Sequence, residues 1–258
     1  MFNLIKYQVA ERRADIIMNR PEKRNSFNVG LVAELKQAFA MAEQDAEVRV
    51  VRLMGAGAAF SAGADLAYIQ SMQAYSYEEN LADSSSLMEL YKQIYTLSKP
   101  VVAQIEGAAI AGGCGLATVC DFSFAVPTAQ FSYSETKIGF VPAIVMVFLL
   151  RKIGEGKAKE LLLTGKIISA AEAQQAGIIN QVCPAETIDA EVLAFISNMC
   201  ASNSPQALAT TKQMIAQVQE LGINEALAAA AATNAAARMT TDCKKGIAAF
   251  VNKEKISW

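Results

Sequence analysis

The stretch from Gly107 to Asp121, Gly-Ala-Ala-Ile-Ala-Gly-Gly-Cys-Gly-Leu-Ala-Thr-Val-Cys-Asp, constrains this chain more than any other. It is apolar, built of small residues, dense in glycine and free of carboxylates until Asp121. Side chains this small let a backbone approach another backbone, or a ligand, closely. The run follows a β-rich segment, Val101 to Glu106, so a strand is expected to turn here into a buried helix from about 112 to 119. A helix N-terminus exposes unpaired N–H groups and the positive end of the peptide dipole. Downstream, Glu135 is the lone acid of Phe131-Ser-Tyr-Ser-Glu-Thr-Lys-Ile-Gly139. Its apolar and aromatic neighbours (Phe131, Tyr133, Ile138 and Phe140) predict burial, which raises a carboxyl pKa and suits it to proton exchange near neutral pH.

The chain of 258 residues contains no histidine. That removes Ser-His-Asp and Cys-His nucleophile systems, histidine bases and histidine-containing zinc sites. Proton transfer falls to Asp, Glu, Lys, Tyr or Cys. The five cysteines, at 114, 120, 183, 200 and 243, show no CxxC spacing and read as reduced, mostly core thiols. No metal site and no redox cofactor is expected. A net charge of −2 gives no attraction for nucleic acid or an anionic membrane. The longest uncharged apolar run, Ile138 to Leu150, is broken by Gly139 and Pro142 and is too short to span a bilayer. No signal-peptide pattern is read near the N-terminus, so a cytoplasmic protein is the expectation.

Patterning predicts an α/β core with largely parallel strands. Leu4–Val9 and Ala14–Met18 read as an antiparallel pair, and Val48–Met54 as a strand. Asn28 caps a helix whose stripe is Leu31, Leu35, Phe39 and Ala42, and Asp65 caps another after a flexible loop from Gly55. A helix spans about Tyr77 to Leu97, and Phe122–Ala125 and Gln130–Tyr133 are short strands. Ser169-Ala-Ala-Glu172 is a capping box, Gly177 a helix stop, and Asn180–Val182 a last strand. Beyond Glu186 the pattern is helical, with Leu193, Ile196 and Met199 on one face and an alanine-rich run at 226–237. The expected division is a core at 1–190 and a helical oligomerisation region at 191–258.

Two loops end in small residues, Phe60-Ser-Ala-Gly-Ala-Asp-Leu66 and Ala111-Gly-Gly113. Their N–H groups can converge on one oxygen as an oxyanion hole, or their glycines can simply permit tight turns; spacing alone allows both. Asn19-Arg-Pro-Glu-Lys-Arg-Asn25 reads first as a charged turn, and secondly as a phosphate contact.

These segments, with Leu161-Leu-Leu-Thr-Gly-Lys-Ile-Ile-Ser-Ala-Ala-Glu-Ala173 and Ala176-Gly-Ile-Ile-Asn-Gln-Val182, resemble the crotonase (enoyl-CoA hydratase/isomerase) superfamily, in the family's order and over nearly the whole chain. The resemblance implies a spiral of ββα units followed by a helical trimerisation region, in a homotrimer or hexamer. It implies an acyl-CoA thioester substrate, with CoA as part of the substrate and no separate cofactor. The oxyanion donors would be the N–H groups of Ala64 and Gly112. Lys23, Arg24, Ala62, Asp65, Leu66 and Gly115 would contact substrate, with weaker candidates at Phe250 and Lys253. Family hydratases use two glutamates. The second matches Glu135, and the first falls on Gly115. That single-acid pattern is similar to the branch of methylglutaconyl-CoA-type hydratases. It implies hydration of a 2-enoyl-CoA with Glu135 as acid and base. The alternatives are Δ3,Δ2-enoyl-CoA isomerisation with Glu135 as a proton shuttle, and a catalytically degenerate acyl-CoA-binding subunit.

Overall fold

The structure, a computed structural model, describes residues 2–258. In chain order the elements are β1 (Ile5–Ala10), β2 (Arg13–Met18), a 3-10 turn (Pro21–Lys23), α1 (Val29–Gln44), β3 (Val50–Gly55), β4 (Ala59–Ser61), α2 (Leu66–Met72) and α3 (Tyr77–Thr96). There follow β5 (Val101–Ile105), β6 (Ala108–Ile110), α4 (Gly112–Val119), β7 (Phe122–Ala125), β8 (Gln130–Ser132), a second 3-10 turn (Glu135–Ile138) and α5 (Ala143–Thr164). The chain ends with β9 (Ile168–Ser169), α6 (Ala170–Ala176), β10 (Gln181–Val182), α7 (Ile188–Ser202), α8 (Pro205–Val218), α9 (Ile223–Met239) and α10 (Thr241–Asn252).

Two sheets organise the core. The larger runs β1-β2-β3-β5-β7-β10 and the smaller β4-β6-β8-β9. Only the β1–β2 and β8–β9 pairings are antiparallel among the described residues. The chain therefore repeats one path: a strand in the large sheet, a strand in the small sheet, then helix. β3-β4, β5-β6 and β7-β8 are three such passes. Parallel strands covered on both faces must be apolar throughout, and β5 is buried at every position.

The helix starts follow local chemistry. The side chains of Asn28, Asp65, Ser76 and Ser169 each accept a backbone N–H of the turn they open, and Ser169 with Glu172 completes a capping box. Leu31, Leu35, Phe39 and Ala42 form the buried stripe of α1. On α7 Ile196 and Met199 are buried as expected, but Leu193 is only half-buried and Val192 takes its place on the buried face. The loop expected after Gly55 holds a strand, β4, and a further strand, β6, lies inside the glycine-rich run. Four of the five cysteines are buried and all five are free thiols. Among the described residues no helix is long and apolar enough to cross a membrane.

Candidate active site

Three strands of the small sheet deliver the candidate site. β4 leads into Ala62–Leu66, β6 into Ala111–Gly112, and β8 into Glu135. Gly63 has φ +82°, a conformation open to glycine, and a β-carbon there would stand 2.8 Å from the Ile110 carbonyl and 3.4 Å from Gly112 N. At Gly113 a β-carbon would lie 2.3 Å from the Ser61 carbonyl. These two glycines bring the 62–66 turn against the start of α4.

Both candidate donors are free by construction. The Phe27 N–H donates to the Gly63 carbonyl (2.6 Å) and the Asp65 N–H donates to the Phe27 carbonyl (2.9 Å), so Phe27 brackets Ala64. In a parallel bridge the bracketed residue's own N–H points to the other side. Gly112 is the first residue of α4, where the N–H has no intrahelical acceptor. The preceding Ala111 sits at φ +50°, ψ −122°, a sparsely populated conformation for alanine, held as its N–H donates to the Ser132 carbonyl at 2.7 Å. The Tyr91 hydroxyl donates to the Gly112 carbonyl at 2.5 Å, holding the same residue through the peptide that follows it. At the far end of α4 the Lys152 ammonium donates to the Thr118 and Cys120 carbonyls, each at 2.9 Å.

Glu135 is 9% exposed and its Oε2 has no hydrogen-bond partner. Loss of water around the carboxyl raises its pKa, opposed in part by its own backbone N–H. Its charge also helps push up Tyr91, after burial of that phenol, so Glu135 and the Tyr91–Gly112 pair share one electrostatic neighbourhood. The neighbours that bury it differ from expectation: Phe131 and Tyr133 are buried, but Ile138 and Phe140 are 68% and 63% exposed. The nearby Cys114 thiol is pushed up to about 12 by burial and stays protonated, so it is no nucleophile. Among the described residues no cluster of three or more His, Cys, Asp or Glu gathers as a metal site.

The predicted substrate contacts divide. Lys23, Arg24 and Leu66 are exposed and Ala62 is half-buried, on the first 3-10 turn and the segment leading into α2, which meet where the Ala62 N–H donates to the Arg24 carbonyl at 2.9 Å. Asp65 caps α2 and pairs with Arg20 at 3.1 Å. Arg20 and Asn25, within the segment expected as a charged turn or a phosphate contact, are buried and structural. Arg20, 8% exposed, also donates to the Ser26 carbonyl. Asn25, fully buried, accepts the Arg20 N–H and donates to the Ala56 and Ala59 carbonyls. The two ends of the charged motif thus tie the loops together, while its middle faces solvent. Gly115 is buried, one turn beyond Gly112, against Val145 and Tyr91. Phe250 and Lys253 are exposed at the end of α10.

Spiral ββα passes, two sheets and a helical C-terminal part define an α/β protein of the crotonase fold. A solved enoyl-CoA hydratase of Mycobacterium smegmatis superposes with a TM-score of 0.93 at 31% identity, covering 99% of each chain. Residues 10–258 match the Enoyl-CoA hydratase/isomerase family, and the chain belongs to that family. A Thermus thermophilus protein named, provisionally, as an enoyl-CoA hydratase is 42% identical over 240 residues, 93% of this chain and 94% of that one. The Crotonyl-CoA hydratase of Syntrophomonas wolfei is 32% identical over 250 residues, 96% and 95% of the two chains.

Proposed function

We propose that this protein adds water to a 2-enoyl-CoA thioester, with Glu135 as its single acid and base. The observation that carries the reading is a buried carboxyl whose Oε2 has no partner, just past the end of a strand paired with the one that leads to a helix start whose first N–H is free. The thioester oxygen sits between the N–H groups of Ala64 and Gly112. They polarise the carbonyl, make C3 electrophilic and hold the enolate that forms when water adds. Losing one such donor costs about 10²–10³ in rate. Glu135 takes a proton from the attacking water and returns one to C2. No cofactor is required, since CoA belongs to the substrate; its phosphates meet Lys23 and Arg24.

A second reading, Δ3,Δ2-enoyl-CoA isomerisation, draws on Gly115, which leaves Glu135 without a second acid. Turnover of 2-enoyl-, 3-enoyl- and 3-methylglutaconyl-CoA in ¹⁸O-labelled water, followed by mass spectrometry, separates them. Label entering the acyl group supports hydration. Double-bond migration without label supports isomerisation. Binding of the thioesters with no turnover leaves an acyl-CoA binder.

The assembly we propose is a homotrimer or a dimer of trimers, supported by exposed apolar residues on α8–α10, including Ile223, Leu227, Met239 and Phe250. Light scattering tests it, and a monomer at micromolar concentration rules it out.

A further inference from the structure

Gly115 is a glycine for reasons its backbone does not explain, because its neighbour across the helix pair already fills the position. A β-carbon at 115 would stand 2.2 Å from Val145 Cγ1, 2.9 Å from Val145 Cβ and 3.3 Å from Tyr91 Cε2. Two carbons in favourable contact lie roughly 3.5–4.0 Å apart, so the valine blocks the root of any side chain at 115 and not merely its tip. Val145 is 4% exposed, in the first turn of α5. Tyr91 reaches two of the three glycines of α4, donating its hydroxyl to the Gly112 carbonyl and laying its ring edge beside Gly115. Phe148, one turn along α5 from Val145, meets the Tyr91 ring edge-on at 6.0 Å. Helices α3, α4 and α5 thus close this wall with hydrocarbon.

We propose that Gly115 and Val145 form a size pair that sets how many acids the site can hold: valine at 145 closes the wall beside Gly115, and a carboxylate at 115 requires a glycine at 145. Val145 is then a specificity-determining residue, although it carries no chemistry of its own. The activity arm of the test rests on the single-acid hydration reading above; the stability arm does not.

The distances rank the variants. Alanine at 145 removes the 2.2 Å contact but keeps a β-carbon at 2.9 Å, whereas glycine removes both. Gly115→Glu is made in the wild-type, Val145→Ala and Val145→Gly backgrounds, and its Tm penalty is read against each parent. Gly115→Ala, which adds the β-carbon alone, is run in parallel so that a glutamate variant that does not fold leaves the ranking measurable. The expected penalty with Val145 is about 5 °C or more, smaller with alanine, and near zero with glycine. Equal penalties in all three backgrounds overturn the size pair. In the activity arm, folded Gly115→Glu/Val145→Gly gains a second ionisation in its pH–rate profile that the parent lacks. A folded double variant with the parent's single-ionisation profile overturns the claim about acid number. A wild-type enzyme inactive on every enoyl thioester defeats the hydration reading and leaves the melting series to decide the size pair by itself.

Discussion

Asp15, on β2, and Glu135, in the turn after β8, are 0% and 9% exposed. Arg13 and Arg52 each give Asp15 two hydrogen bonds, with Nε–Oδ1 distances of 2.7 Å in both cases. Arg52 goes on to Gln104 and Asp189, so the cluster ties β2, β3 and β5 to α7. Burial pushes the Asp15 pKa up, but the hydrogen bonds and charges of Arg52 and Arg13 outweigh it and the pKa falls. Around Glu135 burial acts with no cation to oppose it, and the pKa rises. The same carboxyl chemistry, buried in both places, is locked into its charged form on the large sheet and left able to change charge beside the small one. A carboxylate that must hold strands together is given every partner. The one proposed to exchange protons keeps an oxygen with no partner.

The largest expected effect on the Glu135 side is Glu135→Gln. Turnover should fall by about 10²–10⁴, with acyl-CoA affinity nearly unchanged by calorimetry and Tm not lowered. Loss of binding along with turnover would move Glu135 from chemistry to structure. Asp15→Ala should do the reverse. It leaves two buried guanidinium groups short of a counter-charge, at about 3–5 kcal/mol in denaturant unfolding, while activity per folded molecule holds. Equal loss in both assays would erase the distinction between the two regions.

A smaller effect comes from pH. The lowered pKa of Asp15 means its stabilisation is complete above the ordinary carboxylate range and is lost as pH falls through the lowered value. The raised pKa of Glu135 runs the other way. The fold favours its neutral form, so its contribution is full below the ordinary value and is lost as pH rises through the raised one. Glu135→Gln should therefore match wild type in Tm near about pH 4 and exceed it near neutrality. Activity should rise with pH on a limb whose midpoint lies above the ordinary glutamate value. A midpoint at or below that value would show that Glu135 is not desolvated in the working enzyme. Smallest of all, Lys23→Ala/Arg24→Ala should raise KM a few-fold at low salt and leave kcat alone, the difference shrinking as salt screens exposed charges.

The parts of this molecule that could be read in the sequence are those whose signals are local. Asn28, Asp65 and Ser169 stand immediately before amphipathic runs and cap them as expected. Gly112 opens the buried helix anticipated from the small-residue run. Glu135 is buried as expected, yet Ile138 and Phe140 point outward, because a short 3-10 turn does not carry the alternation of the strand before it. β4 and β6 were hidden by their brevity: three residues of Ala, Phe, Ser or Ile hold too little periodicity to differ from a loop. The Asp15 cluster and the Gly115–Val145 contact were not legible at all. Arg52 reaches Asp15 across 37 positions, and Val145 meets Gly115 from a different helix, and each residue type, taken singly, is ordinary.

The small sheet has a consequence for how the protein comes to life during folding. Its strands β4, β6 and β8 pair in parallel, and each carries its contribution to the site within a few residues of its end. Parallel pairing of such distant segments is slow, because loop entropy is lost before any contact is gained. No partly folded intermediate that lacks β6 between β4 and β8 can bring together the two N–H donors and the acid of the proposed site. In a refolding experiment, helical signal should therefore return early and thioester turnover last, making activity a clock for the final closure of the spiral.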